Sequence, residues 1–145
     1  GIAKSMADKY PELPRNLGIH IRHNGNHVGL LMQALGTRLL SFPVKPAKII
    51  MSDRSEVVSH ARDKYTVGQS VPGFHCVAAV EIIERSCKEL VAWTDAARYE
   101  HVVLPIPGCG AGELSYNQDG IRAICESVLD NRFYMMSFKQ SDFGR

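Results

Sequence analysis

His101-Val-Val-Leu-Pro-Ile-Pro-Gly-Cys-Gly-Ala-Gly-Glu-Leu-Ser-Tyr116 is the stretch on which the reading of this chain turns. Val102-Val-Leu104 is a continuous apolar run, as expected of a strand covered on both faces. Gly108, Gly110 and Gly112 then alternate within five residues. Glycine tolerates positive φ and has no Cβ to block an approaching group. Successive backbone N–H groups in such a loop can converge on an anion. Ser115 followed three residues later by Gln118 reads as a capping box, so the loop is expected to open directly onto a helix. A strand, a glycine loop and a helix N-terminus in series suit phosphate or diphosphate.

The loop is not a P-loop, because no Gly-Lys-Ser/Thr follows, and it lacks the third glycine and distant acid of a dinucleotide fingerprint. Cys109 sits where a thiol pKa is lowered, but no histidine lies close in sequence, which favours packing over nucleophilic catalysis. Glu113 is the one carboxylate in the loop. It is the candidate catalytic residue, as a general base or as the group that orients a ribose hydroxyl.

Working outward, residues 121–129 trace an apolar helical stripe and residues 133–138 form the last strand. Before the loop, residues 77–93 carry the clearest helix, with Val80, Ile83, Cys87, Leu90 and Val91 on one face. Glu81–Arg85 and Glu84–Lys88 are spaced i,i+4 on the other, and Trp93 closes the apolar face. Residues 1–10 and 13–23 predict two short helices separated by Pro11 and Pro14. Asn24-Gly25-Asn26 is a turn, and residues 28–34 and 38–42 a hairpin or tight strand pair. Residues 47–73 have weaker periodicity and exceed an ordinary connection, which predicts an insertion or lid. Within it, Ser52 or Asp53 caps a helix over residues 54–65, with Glu56 in its first turn. Strands alternating with helices predict an α/β fold, a sandwich around a mixed, largely parallel sheet.

With 145 residues and net charge +2, the chain reads as a single domain over residues 1–145, with no global signal for nucleic acid. No basic stripe is interleaved with aromatics, so sequence-specific nucleic-acid binding is not expected. No apolar run reaches the roughly 20 residues of a membrane span, and no signal peptide is present, so a cytoplasmic location and no membrane partner are expected. Cys76, Cys87, Cys109 and Cys125 are scattered, as suits reduced thiols in a reducing compartment. His20, His23 and His27 read as a polar helix end and turn rather than a metal site. No cofactor is implied.

Pro107-Gly-Cys-Gly-Ala-Gly-Glu-Leu-Ser-Tyr116 resembles the ligand loop of macrodomains, the ADP-ribose-binding family, in the branch with a PGCG-type loop. Gly1-Ile2-Ala3 before a helix resembles that family's first glycine-rich loop. Leu40-Ser-Phe-Pro-Val-Lys45 resembles a strand end of the branch, and Ile82-Ile-Glu-Arg-Ser86 its central helix. The resemblance implies a three-layer α/β/α sandwich that here lacks its N-terminal strands. It implies binding of ADP-ribose or a closely related nucleotide, and hydrolysis of ADP-ribosyl derivatives, either de-ADP-ribosylation of protein or nucleic acid or ADP-ribose phosphoester cleavage. A non-catalytic ADP-ribose-binding module is the alternative. By the family pattern the ligand contacts are Gly1, Ile2 and Ala3, the loop residues Pro107, Gly108, Cys109, Gly110, Ala111, Gly112, Glu113 and Leu114, and Phe138. Lys4 and Lys45 are candidate charge partners. Ile106 stands where relatives often have Arg, and Glu113 and Ser115 replace a more usual Gly and Asp.

Overall fold

Helix α3 (Val80–Ala97) supplies residues to two of the three buried cores. The computed structural model describes residues 2–137, and for Ile2 its backbone alone. In order come α1 (Ile2–Lys9), α2 (Leu13–Asn24), β1 (Gly29–Ala34), β2 (Thr37–Ser41), β3 (Lys48–Ile50), β4 (Ser70–Pro72), α3, β5 (Val102–Pro105), α4 (Ile121–Val128) and β6 (Phe133–Met136). The fold is mixed α/β. Its strands form three two-stranded sheets, of which β1–β2 and β3–β4 are antiparallel and β5–β6 parallel. The described strands are therefore not largely parallel.

The buried face of α3 carries Ile83, Cys87 and Leu90, as its periodicity predicts. Each such burial is worth roughly 1.5–3 kcal/mol. Ile83 and Cys87 join Ile106, Tyr116, Ile121 and Cys125 in one core, while Leu90 joins Val28 and Leu104 in a second. The helix starts three residues later than its sequence pattern suggests. Its would-be first amides are taken elsewhere, Ala78 N–H by the Gly112 carbonyl at 3.0 Å and Ala79 N–H by Val44 at 2.9 Å. Glu84–Lys88 forms the expected pair at 3.3 Å. Arg85 instead faces Glu89 and donates to the Asn26 carbonyl.

The β1–β2 hairpin turns through Leu35 and Gly36, both at positive φ (52° and 81°). That is the two-residue connection which matches strand twist. Glu89 of α3 receives the Val28 N–H at 3.0 Å and the His27 ring at 2.6 Å, which fixes the start of β1 on the helix. Trp93 adds a donor to the Val28 carbonyl at 3.2 Å.

Residues 47–73 are not an unstructured connection. The β3–β4 ladder and two 3₁₀ segments, Arg54–Glu56 and Ser59–Lys64, enclose a third core of Met51, Val57, Val58, Ala61, Val71 and Cys76. The predicted single helix over 54–65 is interrupted at Val57 and Val58. Val57 bridges Cys76, and Val58 donates to the His75 carbonyl at 2.9 Å. These two β-branched residues are drawn into extended pairing. The predicted cap is present: Asp53 and Glu56 form a full capping box.

The sheet β5–β6 turns Val102, Leu104, Phe133 and Met135 onto α3 and α4. Its other face shows Val103, Tyr134 and Met136 to solvent, at 58%, 49% and 45% exposure. No helix among the described residues is long and apolar enough to cross a membrane.

Candidate functional site

The glycine loop leaves the carboxyl end of β5, and its first residues are buried: Ile106, Pro107 and Gly108 lie under the surface. The three glycines, alike in sequence, do different work. Gly108 has φ 76°, and a Cβ there would stand 2.7 Å from the Ile83 Cδ1. A Cβ on Gly112 would stand 2.6 Å from the Gly108 carbonyl oxygen and 2.7 Å from the Ala78 Cβ. These two glycines let the loop lie flat on the entry to α3. Gly110 alone faces open space, with nothing within 4 Å of its would-be Cβ.

Two turns brace the loop internally. Leu114 N–H donates to Gly108 O and Glu113 N–H to Gly110 O, both at 3.0 Å. By contrast, the N–H groups of Gly110, Ala111 and Gly112 meet no protein acceptor among the described residues. Gly110 and Ala111 are exposed. Cys109 is half-buried against the first core, its thiol donating to the Pro107 carbonyl at 3.4 Å. Leu114 packs on the same core.

The loop does not open directly onto a helix. Gln118 N–H does reach Ser115 Oγ at 3.3 Å, the predicted capping contact. The Ser115 N–H, however, is taken by the Asp119 carboxylate at 2.5 Å, and Gly120 at φ 80° breaks the run. Helix α4 begins only at Ile121. Its positive end therefore lies beyond a separate turn, and the case for the loop rests on its own N–H groups.

Glu113 has φ 63°, uncommon for a residue with a side chain. Its carboxylate accepts the Ser59 N–H at 3.0 and 3.2 Å and the Ser59 hydroxyl at 3.0 Å. It thus caps the 3₁₀ segment Ser59–Lys64 from across the loop. The Ser59 amide holds its pKa below the ordinary carboxylate value, aided by the Ser59 hydroxyl, Arg62 and His60. A carboxylate so occupied is a weaker base and a good fastener. Sequence reasoning could not pair Glu113 with Ser59, because they are 54 positions apart.

Lys45 lies close enough to Glu113 and Cys76 to feel their charge, while partial burial pulls its pKa down. Its Nζ donates to the Phe74 carbonyl at 3.3 Å. Lys4 and Ala3 are exposed on α1, which packs against α2. Gly1, the Ile2 side chain and Phe138 lie outside the described residues. Two shallow cavities lie away from the loop. One of ≈ 240 Å³ is lined by Asn16, His20, His23 and Leu31, the other of ≈ 170 Å³ by Cys125, Leu129 and Phe133. The His20 ring is already engaged, with His27 O at 2.8 Å and Asn24 at 3.2 Å. Among the described residues no three His, Cys, Asp or Glu side chains converge as a metal site would require.

No family model, curated protein or solved structure matches the chain.

Proposed function

We propose that residues 107–114 form the diphosphate- and ribose-facing wall of an ADP-ribose site, in a domain of macrodomain type. The observation that carries this reading is the run of three N–H groups, Gly110 to Gly112, without a protein acceptor among the described residues, at the carboxyl end of a parallel strand. Such groups are unsatisfied unless water or a ligand oxygen accepts from them. The exposed apolar face of β5–β6 supports the finer architecture, since a three-layer sandwich packs a second helical layer there. Gly1 to Ala3 and Phe138 complete the proposed site by resemblance alone.

Binding without turnover is the form of the activity that the geometry favours. Glu113 is committed to Ser59, which leaves it holding the loop rather than activating water. The macromolecular partner under this reading is an ADP-ribosylated protein or nucleic acid. Calorimetry and thermal shift with ADP-ribose, AMP and ADP test the proposal. A saturable heat and a raised melting temperature with ADP-ribose are expected, and the absence of both overturns it. Release of ADP-ribose from a modified substrate, abolished in Glu113→Gln, would restore the hydrolase reading.

A further inference from the structure

The segment 59–76 gathers four rings that the sequence keeps apart. His75 is the hub: Phe74 lies 4.6 Å from it, Tyr65 5.6 Å and His60 5.9 Å, all edge-on. The Tyr65 hydroxyl is 2.6 Å from His75 Nδ1, so the hub ring is held in one orientation. Phe74 points outward at 71% exposure. Its exposed face is open to stacking, while the rings behind it hold its orientation.

Cations surround the rings. Lys45 donates to the Phe74 carbonyl, and Lys64 ends the 3₁₀ segment on which His60 stands. Lys64, His60 and Lys45 all lie near enough to His75 to oppose its protonation, after partial burial of the ring as the larger cause. Lys48 pairs across the β3–β4 ladder with Pro72, two residues before Phe74. Of the neighbouring acids, Asp63 pairs with Arg54 at 2.8 Å, while Glu113, bonded to Ser59, keeps its charge and lies near Lys45 and His60. The linear sequence shows no basic stripe among aromatics, but the fold brings Lys45 and Lys64 beside the ring cluster.

We infer that this surface, Phe74 with His60 and His75 flanked by Lys45 and Lys64, is a contact site for single-stranded nucleic acid. A base would stack on Phe74, with phosphates on the lysines. Stacking is tolerant of base identity, so the site would have little sequence preference. A strand, which can lay a base on Phe74 and its phosphates on both flanking lysines, fits this spread of groups better than a single nucleotide. The patch borders the glycine loop, because Glu113 bonds Ser59 beside His60 and lies near Lys45; its rings lie outside residues 107–114, and the inference does not need the ADP-ribose reading.

The test is fluorescence anisotropy of the 145-residue chain with a labelled twelve-nucleotide single strand, over a range of salt. Binding should weaken with salt, by a log–log slope of roughly −0.7 per neutralised phosphate. Phe74→Ala should lower affinity roughly 5- to 150-fold, the range of one lost base stack. Lys64→Ala should reduce the salt slope by about one phosphate contact. Both side chains are exposed, so both variants should melt with the parent protein. Gly110→Ala should bind the strand as the parent does. No binding, binding unchanged in Phe74→Ala, or a mononucleotide that competes as well as the strand would each overturn the inference.

Discussion

The Glu113 carboxylate and the Ser59 amide, 3.0 Å apart, join the glycine loop to the segment 47–73. The contact has the chemistry of a helix N-cap, an oxygen accepting an orphan amide. Its cap, though, comes from a distant part of the chain. Glu113→Ala should therefore act on stability and local opening before it acts on chemistry. The expected loss is about 1 kcal/mol by urea unfolding, discounted for exposure. Amide exchange should rise first over residues 59–64. Because the folded pKa is lowered, the contribution is present above the ordinary carboxylate value and is lost as pH falls through it. Unchanged exchange in the variant would show that the contact holds nothing.

The three loop glycines should separate into two kinds. Gly108→Ala and Gly112→Ala place a methyl group against Ile83, Ala78 and the loop backbone. Each should cost roughly 1–3 kcal/mol, as overpacking does. Gly110→Ala meets no neighbour, so stability should change by under about 0.5 kcal/mol. Its methyl would occupy the space assigned to the ligand, and ADP-ribose affinity should fall about tenfold. Equal destabilisation by all three would remove the distinction.

Acid should loosen the corner where β6 begins. Asp130 is held down to about 2 by the Arg132 guanidinium and amide, and Arg132 also reaches Asp95 at 2.8 Å. The folded pKa lies below the ordinary 3.8, so the stabilisation is present above that value and disappears as pH falls toward about 2. Asp130→Asn should flatten the acid limb of the stability curve across that window, measured by urea midpoints at successive pH values.

Thiol labelling of the native protein should be ordered. Cys76, Cys87 and Cys125 are 1%, 0% and 3% exposed, and Cys109 is half-buried. The Cys125 contact and then burial push the Cys87 thiol up, out of reach of ionisation at neutral pH. Cys109 should therefore react first, with the others following only on unfolding. Mass spectrometry after brief alkylation decides it. Early labelling of Cys87 would contradict the packing of α3 on α4.

Much of the framework was legible in the sequence because its signals are local. The apolar stripe of α3, the Leu35-Gly36 turn, the Asp53–Glu56 box and the Val102 strand each depend on residues a few positions apart. What misled were places where long-range bonds outbid local preference. The amides of Ala78 and Ala79 leave the helix pattern to reach Gly112 and Val44. Val57 and Val58 leave theirs for Cys76 and His75. The glycine alternation was legible as a loop, but its division into packing and open positions was not. That depends on which face of α3 lies beneath, a fact absent from spacing alone. The ring cluster about His75 was invisible for the same reason, since Tyr65 and His75 are ten residues apart with a strand between them.

Ala78 lies where the glycine loop meets the entry to α3, a few residues after the segment 47–73. It is 5% exposed, donates to Gly112 O, and lies against the positions where Gly108 and Gly112 have no side chain. The segment before it carries its own core and can be regarded as a cassette, joined to the rest near the socket that Ala78 forms for the loop. Exchanging that cassette for one of different length should preserve the loop only where the new cassette keeps an amide for Glu113 and the socket keeps its single methyl group. Enlarging the socket should dislodge the loop even with the cassette intact.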